Sequence, residues 1–165
     1  MNTPNHEAKF QIIPFAISLL ITLGIGIVAS LFTRPEIAGW YANLKKPSFT
    51  PPKWLFPVAW TILYIMIATA AYLVWRLRDN SAAFKTTVVI YSLQLLLNFS
   101  WSIVFFGMHH ILAALIIILL LLVLIILNIN WFGRFSQTAA LLLLPYLLWV
   151  GFASLLNLSI YIFNK

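Results

Sequence analysis

Aromatic side chains recur every three or four residues along three apolar stretches of this chain. One stretch places Phe56, Trp60 and Tyr64 four residues apart, so a helix would carry their rings along a single stripe. Each favourable contact between aromatic rings contributes about 0.5–1.5 kcal/mol beyond simple burial. The chemistry open to such residues is the binding of a flat, conjugated molecule.

Two further stretches repeat this pattern, and each combines a tryptophan with a polar or small residue on one helical face. An amide inside a membrane has no water to bond, so Asn98 must bond another helix or a ligand. The sequence leaves both interpretations of Asn98 open. The two sets are Asn98, Trp101 and Phe105 in one stretch, and Tyr146, Trp149 and Ala153 in the other.

The composition requires that these residues lie in a membrane. Of the 165 residues 63% are hydrophobic and 8% charged, and the mean hydropathy is +1.01. Such a chain cannot cover a water-facing surface with charge, whereas about 20 apolar residues suffice for one membrane-spanning helix. We therefore predict an all-α membrane protein, a single bundle of five transmembrane helices. The predicted spans are residues 11–32, 54–75, 84–106, 111–129 and 138–163.

The long connection between the first two spans, residues 33–53, has the character of a stiff lid. The sequence Thr33-Arg34-Pro35 predicts the end of the first helix, because the residue before a proline disfavours helical angles. Prolines fix the backbone, which lowers the entropy lost when a loop closes over a ligand. Position alone favours an aromatic belt at the membrane boundary, and the preference for a lid comes from the family resemblance described below. The predicted lid residues are Trp40, Lys46, Pro47, Phe49, Pro51 and Pro52.

Several classes of function are excluded by what the sequence lacks. The chain has no cysteine, and no Asp, Glu, Lys or Arg lies at the middle of a predicted span. Ion-coupled transporters and proton pumps place charges there. The adjacent His109 and His110 make a poor chelate, and no other metal-ligand or catalytic cluster is evident. We therefore expect no metal. The net charge of +7 comes from basic residues at helix ends, where they meet lipid phosphates, so we expect no nucleic-acid partner.

Three separated motifs resemble the translocator protein family, also called the peripheral-type benzodiazepine receptor or tryptophan-rich sensory protein family. The resemblance implies a five-helix membrane protein, commonly a homodimer, whose bundle cavity binds porphyrins such as protoporphyrin IX, haem-like tetrapyrroles and benzodiazepine-type drugs. No obligatory cofactor is implied. The motifs are Trp40-Tyr41-x-x-Leu44-x-Lys46-Pro47-x-x-x-Pro51-Pro52, Gln94-x-x-x-Asn98-x-x-Trp101 and Pro145-Tyr146-x-x-Trp149.

The resemblance also implies roles for particular residues. In bacterial members a tryptophan near the excited ring would donate an electron in light-dependent porphyrin breakdown, and Trp60 and Trp149 match that role. We predict a porphyrin receptor, sensor or carrier in a bacterial cell membrane. A light- and oxygen-dependent porphyrin-degrading enzyme and a structural or lipid-organising protein are the alternatives. The predicted binding residues are Tyr41, Phe56, Trp60, Tyr64, Asn98, Trp101, Phe105, Tyr146, Trp149 and Ala153.

Overall fold

The structure, a computed structural model, describes residues 10–165 and contains five helices of membrane-spanning length. This confirms the predicted all-α bundle of five transmembrane helices. Two of the spans are interrupted, and a short helix lies in the connection after the first. The elements are α1 (Ile12–Ala38), α2 (Trp40–Asn43), α3 (Leu55–Arg76), α4 (Ala82–Ser102), a π-helical turn (Ile103–Gly107), α5 (Ile111–Gly133), α6 (Gln137–Leu142) and α7 (Leu144–Phe163).

The bundle is built on three main helix pairs: α4 with α5, α1 with α3, and α5 with α7. Its centre is closely packed by fully buried aliphatic side chains such as Ile67, Ile125 and Val150. The outward faces are equally apolar, with Leu20, Leu148 and many similar side chains exposed. This distribution suits a lipid environment, because the hydrocarbon core offers no hydrogen-bond partners to polar side chains on the outer surface.

The prediction that the first helix ends at Thr33-Arg34-Pro35 is wrong. Helix α1 continues through Pro35 to Ala38, and the backbone breaks at Gly39. Proline costs a helix one hydrogen bond, but tertiary contacts hold this last turn in place. The Thr33 hydroxyl lies 3.2 Å from the Ser102 hydroxyl, and the Glu36 carboxylate lies 2.9 Å from Nε2 of His109.

The lid-like connection is accordingly shorter than the predicted 33–53. Residues 33–38 belong to α1 and residues 40–43 form α2, which leaves residues 44–54 between helices. The fifth span also differs, because Leu143 separates α6 from α7. Pro145 explains that break, since it lacks the amide hydrogen that a continuous helix would bond to the carbonyl of Leu141.

The third span changes character near its end, where α4 passes into a π-helical turn. The amide of Met108 bonds to the carbonyl of Ile103 at 2.9 Å, an i→i+5 bond. His109 follows with φ of 58°, which turns the chain toward α5. The wider turn brings two successive side chains, Phe105 and Phe106, into the interior, where both are buried.

Close packing of α1 on α3 depends on a small residue. A Cβ placed on Gly26 would overlap ring atoms of Tyr64, whereas a Cβ on Gly24 would meet nothing within 4 Å. About two turns earlier in α1, the Ser18 hydroxyl donates to the carbonyl of Ala68 at 2.7 Å. Gly26 therefore serves packing inside the bundle, in the way that small residues allow helices to approach in membranes.

We expect Gly26→Ala to destabilise the protein by about 1–3 kcal/mol relative to Gly24→Ala, because the added methyl group must displace the Tyr64 ring. Gly24→Ala is the matched control, and it should be neutral or stabilising, since alanine favours a helix over glycine by about 1 kcal/mol. Detergent-induced unfolding followed by circular dichroism gives both values. Equal stabilities would contradict this account of the α1–α3 contact.

Candidate functional site

A cavity of about 340 Å³ lies between α1, α3, α4 with its π-helical turn, and α7. Its volume falls within the range of about 300–1,000 Å³ that is typical of small-molecule sites. The cavity brings together side chains that are far apart in the sequence. Nine of the ten predicted binding residues line it: Tyr41, Phe56, Trp60, Tyr64, Asn98, Trp101, Phe105, Trp149 and Ala153.

Three tryptophans from three different helices face this cavity. The ring centroids of Trp60 on α3 and Trp101 on α4 are 6.5 Å apart. Trp149 on α7 packs edge-on against Phe56, at 6.0 Å between centroids. The Nε1 atom of Trp149 is buried and finds no hydrogen-bond partner in the described part of the chain. On each helix the tryptophan lies three or four residues from other lining side chains, so its indole faces the same side of the helix as they do.

Other aromatic rings complete the walls. Tyr64 stacks on Trp60 with centroids 5.5 Å apart, and Phe105 stacks on Trp101 at 5.6 Å. Tyr41 reaches the same cluster from α2 and lies against Phe105 at 6.2 Å. These contacts fix the rings in place, so the walls are shaped before any ligand arrives.

Tyr146, the tenth predicted binding residue, does not line the cavity. It lies directly behind the wall, fully buried, and its hydroxyl accepts hydrogen bonds from Nδ2 of Asn98 at 2.9 Å and Nε2 of Gln94 at 2.8 Å. Asn98 in turn accepts a hydrogen bond from the Tyr64 hydroxyl at 2.7 Å. Asn98 thus combines both interpretations left open above, because it bonds other helices and also lines the cavity.

A second amide joins the helices at the other end of the Trp101 ring. Oδ1 of Asn157 accepts a hydrogen bond from the Trp101 indole at 3.1 Å, and its Nδ2 donates to the carbonyl of Ile111 at 3.0 Å. These two bonds fix the orientation of the Trp101 indole relative to α7.

The six predicted lid residues lie around the cavity rather than in its lining. Trp40 stacks on the His109 imidazole, at 4.3 Å between centroids. Phe49 is half exposed and packs edge-on against Phe152 at 6.1 Å. The connection between α1 and α3 reaches the cavity through Tyr41 of α2 and Lys53 near the end of the loop. Pro47, Pro51 and Pro52 shape the path of the loop between those ends.

Lys46 anchors the start of this loop. Its Nζ donates to the carbonyls of Tyr41 at 2.7 Å and Leu44 at 2.8 Å, where α2 ends. The same ammonium lies 4.8 Å from the centre of the Tyr41 ring. Desolvation, with a smaller effect of the Lys53 charge, lowers the pKa of Lys46. Burial raises the pKa of Tyr41 to about 12, so its hydroxyl stays neutral at physiological pH.

The mouth of the cavity carries positive charge. Arg34 from α1 and Lys53 from the loop both line it, and both side chains are exposed. Among the described residues that line the cavity, none is acidic. The arrangement therefore presents an apolar aromatic interior and a cationic rim.

The contribution of α1 is what the sequence analysis missed. This helix supplies a full wall, and the lining positions repeat with helical spacing, which is the signal that was available. Asn128 of α5 was also missed: it is buried and donates to Oε1 of Gln94 at 3.2 Å. The α1 residues are Leu23, Gly26, Ile27, Ala29, Ser30, Thr33, Arg34 and Ile37.

The profile of the TspO/MBR family matches residues 17–162. The tryptophan-rich protein TspO of Archaeoglobus fulgidus is 45% identical over 155 residues, which is 93% of this chain and 99% of that protein. The protein of the same name from Chlorobaculum tepidum is 45% identical over 150 residues, covering 91% of this chain and 95% of its own length.

The similarity extends to animal proteins. The translocator protein of Homo sapiens is 35% identical over 136 residues, which is 81% of this chain and 80% of that protein. The matched region covers three of the five membrane-spanning helices in full, most of the first and fifth, and every residue that lines the cavity. This chain is an integral multi-pass membrane protein that belongs to the TspO/MBR family.

Proposed function

We propose that this protein binds a porphyrin of the protoporphyrin IX type in its aromatic cavity and acts as a membrane sensor or carrier for it. The observation that carries the proposal is the meeting of Trp60, Trp101 and Trp149 on one cavity. We expect benzodiazepine-type molecules, which are apolar and aromatic, to bind the same lining. One relative is named translocator protein, which favours a carrier, and another is named tryptophan-rich sensory protein, which favours a sensor.

Affinity at this site depends on fit. A ligand that arrives from lipid has already left water, so burial at about 25 cal/mol/Å² adds little to its binding. Contacts between aromatic rings must supply the affinity, at about 0.5–1.5 kcal/mol each. Three indoles, held by their neighbours, offer several such contacts to one planar ring system and fewer to a flexible acyl chain.

The cavity mouth supports a ligand that carries acids at one edge. A volume of about 340 Å³ holds only part of a tetrapyrrole, so its remaining edge would lie at the mouth. Arg34 and Lys53 line the cavity, and either side chain would meet a carboxylate at its mouth. Protoporphyrin IX has this shape, because both of its propionates leave the same edge of the ring.

The two alternative functions have less support. A structural or lipid-organising protein would use its tryptophans as an interfacial belt, whereas these three indoles line an internal cavity. Light-dependent porphyrin degradation stays a prediction. The proximity of Trp60 and Trp149 to the proposed ligand is compatible with electron donation, but binding explains the same placement without further chemistry.

Purified protein should bind protoporphyrin IX with quenching of its tryptophan fluorescence, saturating near one porphyrin per chain. Trp60→Leu combined with Trp149→Leu should weaken binding about 5- to 150-fold, because two ring contacts worth about 1–3 kcal/mol together are lost. Trp131→Leu is the matched control, since Trp131 stacks on Arg134 outside the cavity. Unchanged affinity in the double variant would remove this site assignment.

The charged mouth gives a second prediction. Arg34→Gln and Lys53→Gln should each weaken protoporphyrin IX binding about two- to fivefold at low salt, the range expected for exposed ion pairs. Neither change should affect the dimethyl ester of protoporphyrin IX, which has no carboxylates. Lys165→Gln serves as a control, because this lysine does not line the cavity. Equal losses for acid and ester, measured by fluorescence titration, would rule out the proposed charge contacts.

A further inference from the structure

Five buried polar side chains form a continuous hydrogen-bonded series behind the cavity wall. It runs from Asn128 on α5 through Gln94 to Tyr146 on α7, and from Tyr146 through Asn98 to Tyr64 on α3. Each of the five is at most 7% exposed. Only Tyr64 and Asn98 line the cavity, so the series connects the ligand wall to residues that a ligand cannot touch.

Within this series the Tyr146 hydroxyl accepts two hydrogen bonds and donates none. Its oxygen accepts one N–H from Gln94 and one from Asn98, and its own hydrogen has no acceptor among the described residues. At the other end the Tyr64 hydroxyl donates to Oδ1 of Asn98. In this arrangement Tyr64 offers the cavity only the lone pairs of its oxygen.

Rotating the Asn98 side-chain amide by 180° reverses the direction of donation in the hydrogen bonds between Tyr146, Asn98 and Tyr64. When the Asn98 oxygen and nitrogen exchange places, Tyr146 donates to Asn98, Asn98 donates to Tyr64, and the Tyr64 hydrogen becomes available to the cavity. The series keeps four internal hydrogen bonds, the number it has in the structure. An acceptor on a ligand would add a fifth. The opposite polarity, with Tyr146 donating toward α5, would require both Gln94 and Asn128 to turn.

We propose that Tyr64 donates a hydrogen bond to an acceptor atom of the bound ligand, and that Tyr146 is the positioning residue that makes this donation possible. The inference rests on the proposed function of the cavity and narrows its ligand class. The preferred ligand is a flat apolar molecule with a carbonyl oxygen or an unprotonated ring nitrogen facing α3 and α4. A ligand without such an acceptor leaves the Asn98 amide in its present orientation.

A benzodiazepin-2-one labelled with carbon-13 at its carbonyl group is a direct probe. Its carbonyl stretch in difference infrared spectra should fall in frequency on binding the wild-type protein. Tyr64→Phe should abolish this shift and weaken binding about fivefold, the effect of one ordinary hydrogen bond. An analogue that lacks both the carbonyl oxygen and the imine nitrogen, each replaced by carbon, should bind wild type and Tyr64→Phe equally.

Tyr146→Phe tests the positioning role. It should reduce the carbonyl shift, and it should have no further effect on the shift or on affinity in the Tyr64→Phe background. Tyr91→Phe is the matched control, because it removes a hydroxyl that bonds Thr22 away from the cavity. If Tyr146→Phe does not fold, 3,5-difluorotyrosine at position 146 keeps the hydroxyl as a stronger donor and should enlarge the shift.

The outcomes separate this inference from the proposed function. Failure of the probe and of protoporphyrin IX to bind the wild-type protein would overturn both. Binding with a carbonyl shift that persists in Tyr64→Phe would overturn the inference alone. Binding with a shift that is the same in wild type and in the position-146 variants would overturn the role of Tyr146.

Discussion

Polar groups buried in a hydrocarbon environment must find partners within the protein, and this constraint organises the cavity. Gln94, Asn98 and Tyr146 meet it together by bonding across α4 and α7, with Tyr64 attached from α3. Bonds between membrane helices contribute about 0.6 kcal/mol each on average, so the network adds modest stability. Its larger effect is geometric, because it fixes how α3, α4 and α7 are rotated relative to one another.

That rotation determines where the indoles point. Asn98 and Trp101 share one face of α4, so the contacts of the amide also set the direction of the indole. Tyr146 and Trp149 are related in the same way on α7. The bond from Trp101 to Asn157 and the stack of Tyr64 on Trp60 then hold the rings around the cavity. The binding surface is therefore built by contacts that lie behind it.

Sequence reasoning predicted the parts of the site that depend on helical periodicity. Hydropathy alone gave the five spans, and spacing of three or four residues placed Phe56, Trp60 and Tyr64 on one inward face. It failed where tertiary contacts override local rules. Pro35 did not end α1, because Glu36 bonds His109 and stabilises the final turn. Tyr146 has the spacing of a lining residue but lies behind the wall. Helical periodicity predicts which face of a helix a residue occupies, but it does not predict whether the side chain reaches the cavity.

The remaining differences have similar causes. The π-helical turn brings both Phe105 and Phe106 into the interior, whereas an ideal α-helix would turn one of them away. The wall formed by α1 consists largely of small and aliphatic residues. Their helical spacing predicts a common face, but the spacing does not tell whether that face lines a cavity or packs against another helix.

The central claim is that three indoles from separate helices form one internal binding surface for a flat aromatic ligand. A crystal structure of the protein with bound protoporphyrin IX tests it most directly. The account predicts electron density for the macrocycle between Trp60, Trp101 and Trp149, with the propionates directed toward Arg34 and Lys53. Density for the macrocycle on the lipid-facing surface, with the three indoles untouched, would contradict it.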